Sequence, residues 1–159
     1  MSVTTGIGWD CHRLVEGRAL VLGGVTIPHE RGLAGHSDAD VLTHAVIDAL
    51  LGAAGLGDIG QHFPDTDPRF AGASSLDLLG VVMGLLAERR LAVAHVDATV
   101  VMERPPLGPH RDAVRAALGA ALGVDGERVN VKATTGEGMG FVGRGEGVAA
   151  LAVATLSER

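Results

Sequence analysis

Apolar and polar positions along the chain follow two rhythms. Where apolar residues alternate with others, a half-buried strand is expected, because successive side chains point to opposite faces. His95 to Met102 alternates in this way, with Val96, Ala98, Val100 and Met102 on one face, and Arg128 to Thr134 does the same. Residues 2–13 read as a strand that ends at Asp10 and His12. Glu146 to Leu156 reads as a last strand, although its alanines also suit a helix. Leu20–Leu22 and Val25–Ile27 flank Gly23-Gly24, the pattern of a tight hairpin. Residues 28–37 read as a loop.

Three stretches carry helical spacing. The first opens at Ser37-Asp38-Ala39-Asp40, with Ser37 as the cap and Asp40 three residues on, and runs to about Leu51 with Gly52 as its stop. Leu42, Val46 and Leu50 offer a packing side. Asp40, His44 and Asp48, four apart, line another face as a polar stripe that is unfavourable to bury without partners. The second helix opens at Ser74 or Ser75 and runs to about Arg90. The third spans about Pro109 to Leu122, with Pro109 in its first turn and Gly123 after its end. Residues 52–72 form a connection long enough to be functional or disordered. Its apolar anchors Ile59, Phe63 and Phe70 among aspartates favour an ordered, functional loop. There is no repeat and no linker, so residues 1–159 are expected to form one domain. The expected fold is α/β of the α+β type, a mixed four-stranded sheet covered by helices on one face plus the small hairpin.

Composition narrows the function. Of 159 residues, 47% are apolar and 20% charged, which suits a packed globule. Aromatics are only 3%, so the core is built from Val, Leu and Ala. The 24 glycines suggest backbone brought close to a ligand, or simply a composition rich in small residues. The net charge of −6, with no basic stripe, argues against nucleic acid as a partner. A single cysteine, Cys11, fits a reducing compartment. Met1 to Thr5 shows no cationic segment followed by an apolar run, and no stretch has the length of a membrane helix. A cytoplasmic protein without membrane contact is expected.

The chemistry concentrates in a few places. Asp10 and His12 share a strand face, and His44 stands in the polar stripe. Three N/O ligands with an open position are the donor set of a catalytic zinc site. The same residues also read as a surface pair beside a satisfied helix histidine. Glu137 lies in the Thr134–Phe141 loop among hydroxyls and glycines, where backbone N–H groups suit phosphate and a carboxylate suits Mg²⁺; an ordinary turn has the same composition. Asp58 and the Phe63–Asp67 loop suit sugar hydroxyls, or are turn chemistry of Asp and Pro. Gly6 and Gly8 alone make too short a motif for a dinucleotide site. Arg144 suits an anion or a neighbouring carboxylate.

Asp10-Cys11-His12, His36-Ser37-Asp38-Ala39-Asp40 with His44, Gly57-Asp58-Ile59-Gly60, Phe63-Pro64-Asp65-Thr66-Asp67-Pro68, and Lys132-Ala133-Thr134-Thr135 through Gly143-Arg144-Gly145-Glu146-Gly147 together resemble the 2-C-methyl-D-erythritol 2,4-cyclodiphosphate synthases, in order and over nearly the whole chain. The resemblance implies a lyase of the non-mevalonate route to isoprenoid precursors. It implies a homotrimer whose sheets face the threefold axis, with active sites between subunits. It further implies zinc on Asp10, His12 and His44, and Mg²⁺ or Mn²⁺ reached by Glu137. His36 and Thr135 would align the phosphates. Asp58, Ile59 and Gly60 would hold the sugar beside Ser37, under the loop of Phe63, Pro64, Asp65, Thr66 and Asp67. Met102, Pro105, Pro106, Leu107 and Gly108, with Thr134, would cradle a cytidine diphosphate group. Phe141 and Arg144 would line an axial cavity for isoprenoid diphosphates. Four positions depart from or qualify this pattern. Pro106 stands where a lysine is frequent and Trp9 where a phenylalanine is usual, which narrows the cavity. Gly136 replaces a frequent threonine and is expected to loosen the loop before Glu137. Cys11, between two ligands on a strand, is expected to face away from them.

Overall fold

In a computed structural model, which describes residues 2–159, the chain folds as one mixed sheet with helices on a single face and a separate hairpin. The strands are β1 (Val3–Glu16), β2 (Leu20–Leu22), β3 (Val25–Ile27), β4 (Arg31–Leu33), β5 (Leu91–Val101), β6 (Val129–Thr134) and β7 (Gly147–Glu158). The helices are α1 (Val41–Ala54), α2 (Ile59–His62), α3 (Ser75–Glu88), α4 (Arg111–Leu122) and α5 (Gly140–Gly143). The sheet order is β4-β1-β7-β5-β6, and β2 pairs with β3 alone, as the Gly23-Gly24 pattern predicts. Among the described strands only β5 and β6 run parallel, joined through α4.

The sheet therefore has five strands rather than four. The fifth, β4, falls inside the expected loop of residues 28–37. Arg31-Gly32-Leu33 is too short to show alternation, and it is a strand because β1 continues past residue 13 and offers Leu14–Glu16 as a partner. The last segment is a strand and not a helix: its alanines at 150, 152 and 154 lie buried between sheet and helix.

α1 is the centre of the molecule. It crosses the inner face of β1 so closely that a Cβ on Gly6 or Gly8 would overlap the carbonyl oxygens of Ala49 or Ala45. These two glycines bring a helix, rather than a ligand, close to the strand. Eleven of its fourteen residues are buried, so α1 is apolar nearly all round and has no solvent stripe. It begins later than expected: Asp40, not Ser37, caps it, accepting from the Thr43 N–H at 3.0 Å. It also ends later, at Gly55 in the left-handed conformation, and Gly52 remains helical against Gly6.

The opposite face of the sheet carries no long helix among the described residues. Val3, Ile7 and Trp9 of β1 and Leu151 and Val153 of β7 are exposed there, with Ile7 at 69% and Trp9 at 51%. No helix among the described residues is long and apolar enough to cross a membrane.

Candidate metal centre and substrate clefts

The expected polar stripe of α1 divides its three residues among three tasks. Asp40 is fully buried and turns toward the hairpin, where its carboxylate also accepts from Gly23 N–H (2.9 Å), Gly24 N–H (2.7 Å) and the Thr43 hydroxyl (2.8 Å). Burial pushes its carboxyl up against the pull of these donors. Asp48 accepts from Ile59 N–H at 2.7 Å and tethers the start of α2; burial raises its pKa as well. Only His44 reaches Asp10 and His12.

These three converge. Asp10 Oδ2 is 2.9 Å from His12 Nε2 and 3.1 Å from His44 Nδ1, and the two nitrogens are 3.2 Å apart. Hydrogen-bond partners assign the protons. His12 Nδ1 lies 2.8 Å from the Ala34 carbonyl, which only accepts, so Nδ1 carries the proton and Nε2 presents a lone pair. His44 Nε2 lies 2.8 Å from Ser75 Oγ, and Ser75 donates its own proton to Asp38. His44 Nε2 therefore donates, and Nδ1 is a lone pair too. Three electron pairs, one of them a carboxylate's, meet at one point, an arrangement that requires a cation or a proton between them. Where a proton stands between them, burial opposes charge on Asp10, but hydrogen bonds and charge from both histidines outweigh it and hold the carboxyl at about 2. On His12 burial lowers the pKa, but the Asp10 hydrogen bond and charge, together with the Ala34 carbonyl, outweigh it, so the net shift is upward. The donor set, carboxylate with two imidazoles, fits a catalytic zinc site. Cys11, one residue from each β1 donor, is exposed on the far face, as its place in the strand predicts.

The triad forms the floor of a cleft of about 520 Å³ walled by Gly35, His36, Ser37, Ile59, Gly60, Phe63, Pro64, Asp65, Phe70 and Leu78. Most of the expected sugar-side residues are therefore brought to it. His36 donates to the Asp67 carbonyl at 2.7 Å and so ties this wall to the Phe63–Asp67 loop. Phe63 packs edge-on to Phe70, their ring centres 5.3 Å apart. Asp58 does not line the cleft in this chain; it caps α2 through Gln61 N–H in a reciprocal capping box. The Asp67 carboxylate is held by Arg69, and Thr66 is exposed.

The other expected residues lie elsewhere. Met102, Pro105, Pro106, Leu107 and Gly108 form a second cleft, of about 250 Å³, with Thr134 and Thr135, and Arg111 adds a cation to its wall. Glu137 is exposed beyond it, at φ 55°, with its N–H bonded to Thr135 Oγ1 at 3.1 Å. Gly136 does not loosen this loop. A Cβ there would press on Gly143 N and Met139 O at 2.9 Å each, and its N–H is held by Glu103. Phe141 lines a third hollow with Cys11, Arg13 and Glu146; Arg144 lines a fourth with Arg31 and Glu103, and pairs with Glu146 at 3.3 Å.

Three residues at the centre carry no signal in the sequence. Arg18 spreads its guanidinium over the carbonyls of Leu33, Gly35 and Ser37 and so fixes the wall that holds His36. Ser75 reaches His44 from the start of α3, and Asp38 reaches Ser75 from a loop far away in the chain. Asp38 stands inside a quoted motif, but nothing in its spacing names a partner.

The family model described as the YgbB family matches residues 3–157. A 2-C-methyl-D-erythritol 2,4-cyclodiphosphate synthase of Symbiobacterium thermophilum is 64% identical over 154 residues, covering 97% of this chain and 98% of that protein. A solved 2C-methyl-D-erythritol-2,4-cyclodiphosphate synthase in a CDP-bound form superposes with a TM-score of 0.89 at 41% identity, covering 96% of this chain and 99% of that one. The bifunctional IspDF of Campylobacter jejuni superposes with a TM-score of 0.96 at 42% identity, and this chain covers 43% of its length. The chain thus belongs to the YgbB family, whose curated relatives are 2-C-methyl-D-erythritol 2,4-cyclodiphosphate synthases.

Proposed function

We propose that this enzyme converts 4-diphosphocytidyl-2-C-methyl-D-erythritol 2-phosphate into 2-C-methyl-D-erythritol 2,4-cyclodiphosphate and CMP, as a phosphorus–oxygen lyase of the non-mevalonate isoprenoid route. Membership of the family supports the activity, and the convergence of three donor lone pairs on the floor of a sugar-sized cleft is the observation that carries the chemistry. The substrate's own 2-phosphate attacks its β-phosphorus, so the protein needs no nucleophile of its own. Its task is to hold two anionic phosphates in line, and positioning for an intramolecular attack contributes on the order of 7–11 kcal/mol at best. Asp10, His12 and His44 would hold zinc, and Glu137 would reach Mg²⁺ or Mn²⁺; divalent cations bound there offset the phosphate repulsion and polarise the displacement. That need is acute in a chain of net charge −6.

His36 and Thr135 would align the phosphates. Ser37, Asp58, Ile59 and Gly60, with the Phe63–Asp67 loop, would hold the erythritol, and the Met102–Gly108 cleft with Thr134 would take the cytidine diphosphate. The sugar cleft and the nucleotide cleft share no lining residue within one chain, which supports a homotrimer with each site built from two neighbours. The uncovered apolar sheet face supports the same assembly, with Trp9, Phe141 and Arg144 toward an axial cavity suited to isoprenoid diphosphates. His44→Ala tests the reading: cyclisation is expected to vanish while the protein stays folded and assembled. Full activity of this variant after chelator treatment would contradict the zinc assignment.

A further inference from the structure

Beside the triad stands a chain of polar groups that the reaction itself does not use. Ser75 is the first residue of α3 and is fully buried. Its Oγ lies 2.8 Å from His44 Nε2 and donates to Asp38 Oδ1. Asp38 accepts three times: from the Ser75 hydroxyl, from Ser75 N–H at 3.0 Å and from Asp40 N–H at 3.1 Å. The N-cap residue of α3, Ser74, makes no side-chain cap, so Asp38 caps this helix from a remote loop. The direction of the chain follows. A carboxylate ringed by donors can only accept, the single Ser75 proton is committed to it, and Ser75 Oγ is left as an acceptor for His44 Nε2–H.

We propose that Ser75, held by Asp38, is a positioning residue that fixes His44 in the Nε2–H tautomer and so turns its Nδ1 lone pair toward Asp10 and His12. This rests on the reading of the triad as a metal centre. An imidazole that ligates through one nitrogen is oriented by what its other nitrogen donates to, and loss of such a partner commonly weakens metal binding by 10–100-fold. Ser37 Oγ, 3.2 Å from the same nitrogen and already accepting from Ala39 N–H, is the weaker second acceptor. It holds the ring less well alone, since its contact is longer and its oxygen is shared. The relay also links two elements that pack together: α1 supplies the ligand, and the start of α3 sets which face of its ring is basic.

Two measurements on the full-length protein test this, with Ser75→Ala and the hydroxyl-retaining Ser75→Thr as variants. Circular dichroism and thermal melting confirm that each is folded. The first measurement is long-range proton–nitrogen-15 NMR of the histidines in metal-free protein at alkaline pH. The parent and Ser75→Thr are expected to show His44 protonated at Nε2, and Ser75→Ala a mixture of tautomers. The second is zinc affinity by competition with a chromophoric chelator, expected to fall 10–100-fold in Ser75→Ala and to be largely restored in Ser75→Thr. A parent His44 protonated at Nδ1, or a folded Ser75→Ala with unchanged tautomer and zinc affinity, would overturn the proposal. A parent that shows the expected tautomer, shifted by Ser75→Ala, but takes up no zinc supports the relay and overturns the metal reading instead.

Discussion

Individual side chains decide the chemistry through what their second polar atom does. His12 is a donor to Ala34 on one nitrogen and a lone pair on the other, so the Ala34 carbonyl determines which atom faces the triad. Glu137 differs in kind: it is exposed, its backbone sits at φ 55°, and Gly136 before it is hemmed in on both sides. Its carboxylate is therefore presented on a stiff turn. Glu137→Gln keeps the shape and removes the charge, so it is expected to raise the Mg²⁺ concentration needed for half-maximal rate; an unchanged magnesium titration would count against its role. The candidate metal ligands are legible because Asp10 and His12 share a strand face and His44 is one of the three residues in the polar stripe of an apolar helix. Asp40 and Asp48 carried the same signal and do other work, since spacing places a side chain on a helix face but not the neighbour it meets. Ser75 and Asp38 were illegible for the converse reason: their pairing is tertiary.

At the level of elements, the contact between α1 and β1 sets the position of all three candidate ligands. Asp10 and His12 lie just beyond Gly8 on one partner and His44 beside Ala45 on the other. The missing Cβ at Gly8 lets the Ala45 carbonyl approach. Gly8→Ala forces a backbone shift and is expected to destabilise the protein by about 1–3 kcal/mol or more. Zinc affinity should fall with it, because the strand carrying two ligands is pushed from the helix carrying the third. Chemical denaturation and zinc titration of the variant check both parts, and parent-like values would refute the dependence of the centre on this contact. The hairpin, the strands and the three long helices were readable from periodicity and glycine punctuation. β4 was not, because three residues carry no period. The start of α1 is ambiguous in sequence because Ser37 and Asp40 are both good caps, and only the hairpin turn, which needs an acceptor for Gly23 and Gly24, favours Asp40.

Across the whole molecule, the long helices cover one face of the sheet and leave most of the other bare. Ile7, Trp9, Leu151 and Val153 lie together there on the paired strands β1 and β7, where Ile7 pairs with Val153 and Trp9 with Leu151. A chain that keeps such a patch is expected to bury it against copies of itself. Ile7→Glu is therefore expected to give a smaller species in sedimentation velocity. Because the sugar and nucleotide clefts would be completed by a neighbour, it should also lose activity while still binding zinc. A monomeric variant with parental activity would show that one chain suffices.

Phosphorus NMR of the products identifies the reaction. The protein is incubated with 4-diphosphocytidyl-2-C-methyl-D-erythritol 2-phosphate and Mg²⁺, both zinc-loaded and after stripping by chelator. The loaded protein is expected to give coupled resonances of a cyclic diphosphate together with CMP, and the stripped protein to leave the substrate intact until zinc is restored. A linear phosphate from water attack, or cyclisation that proceeds equally without any divalent ion, would rule out metal-assisted cyclisation by this enzyme.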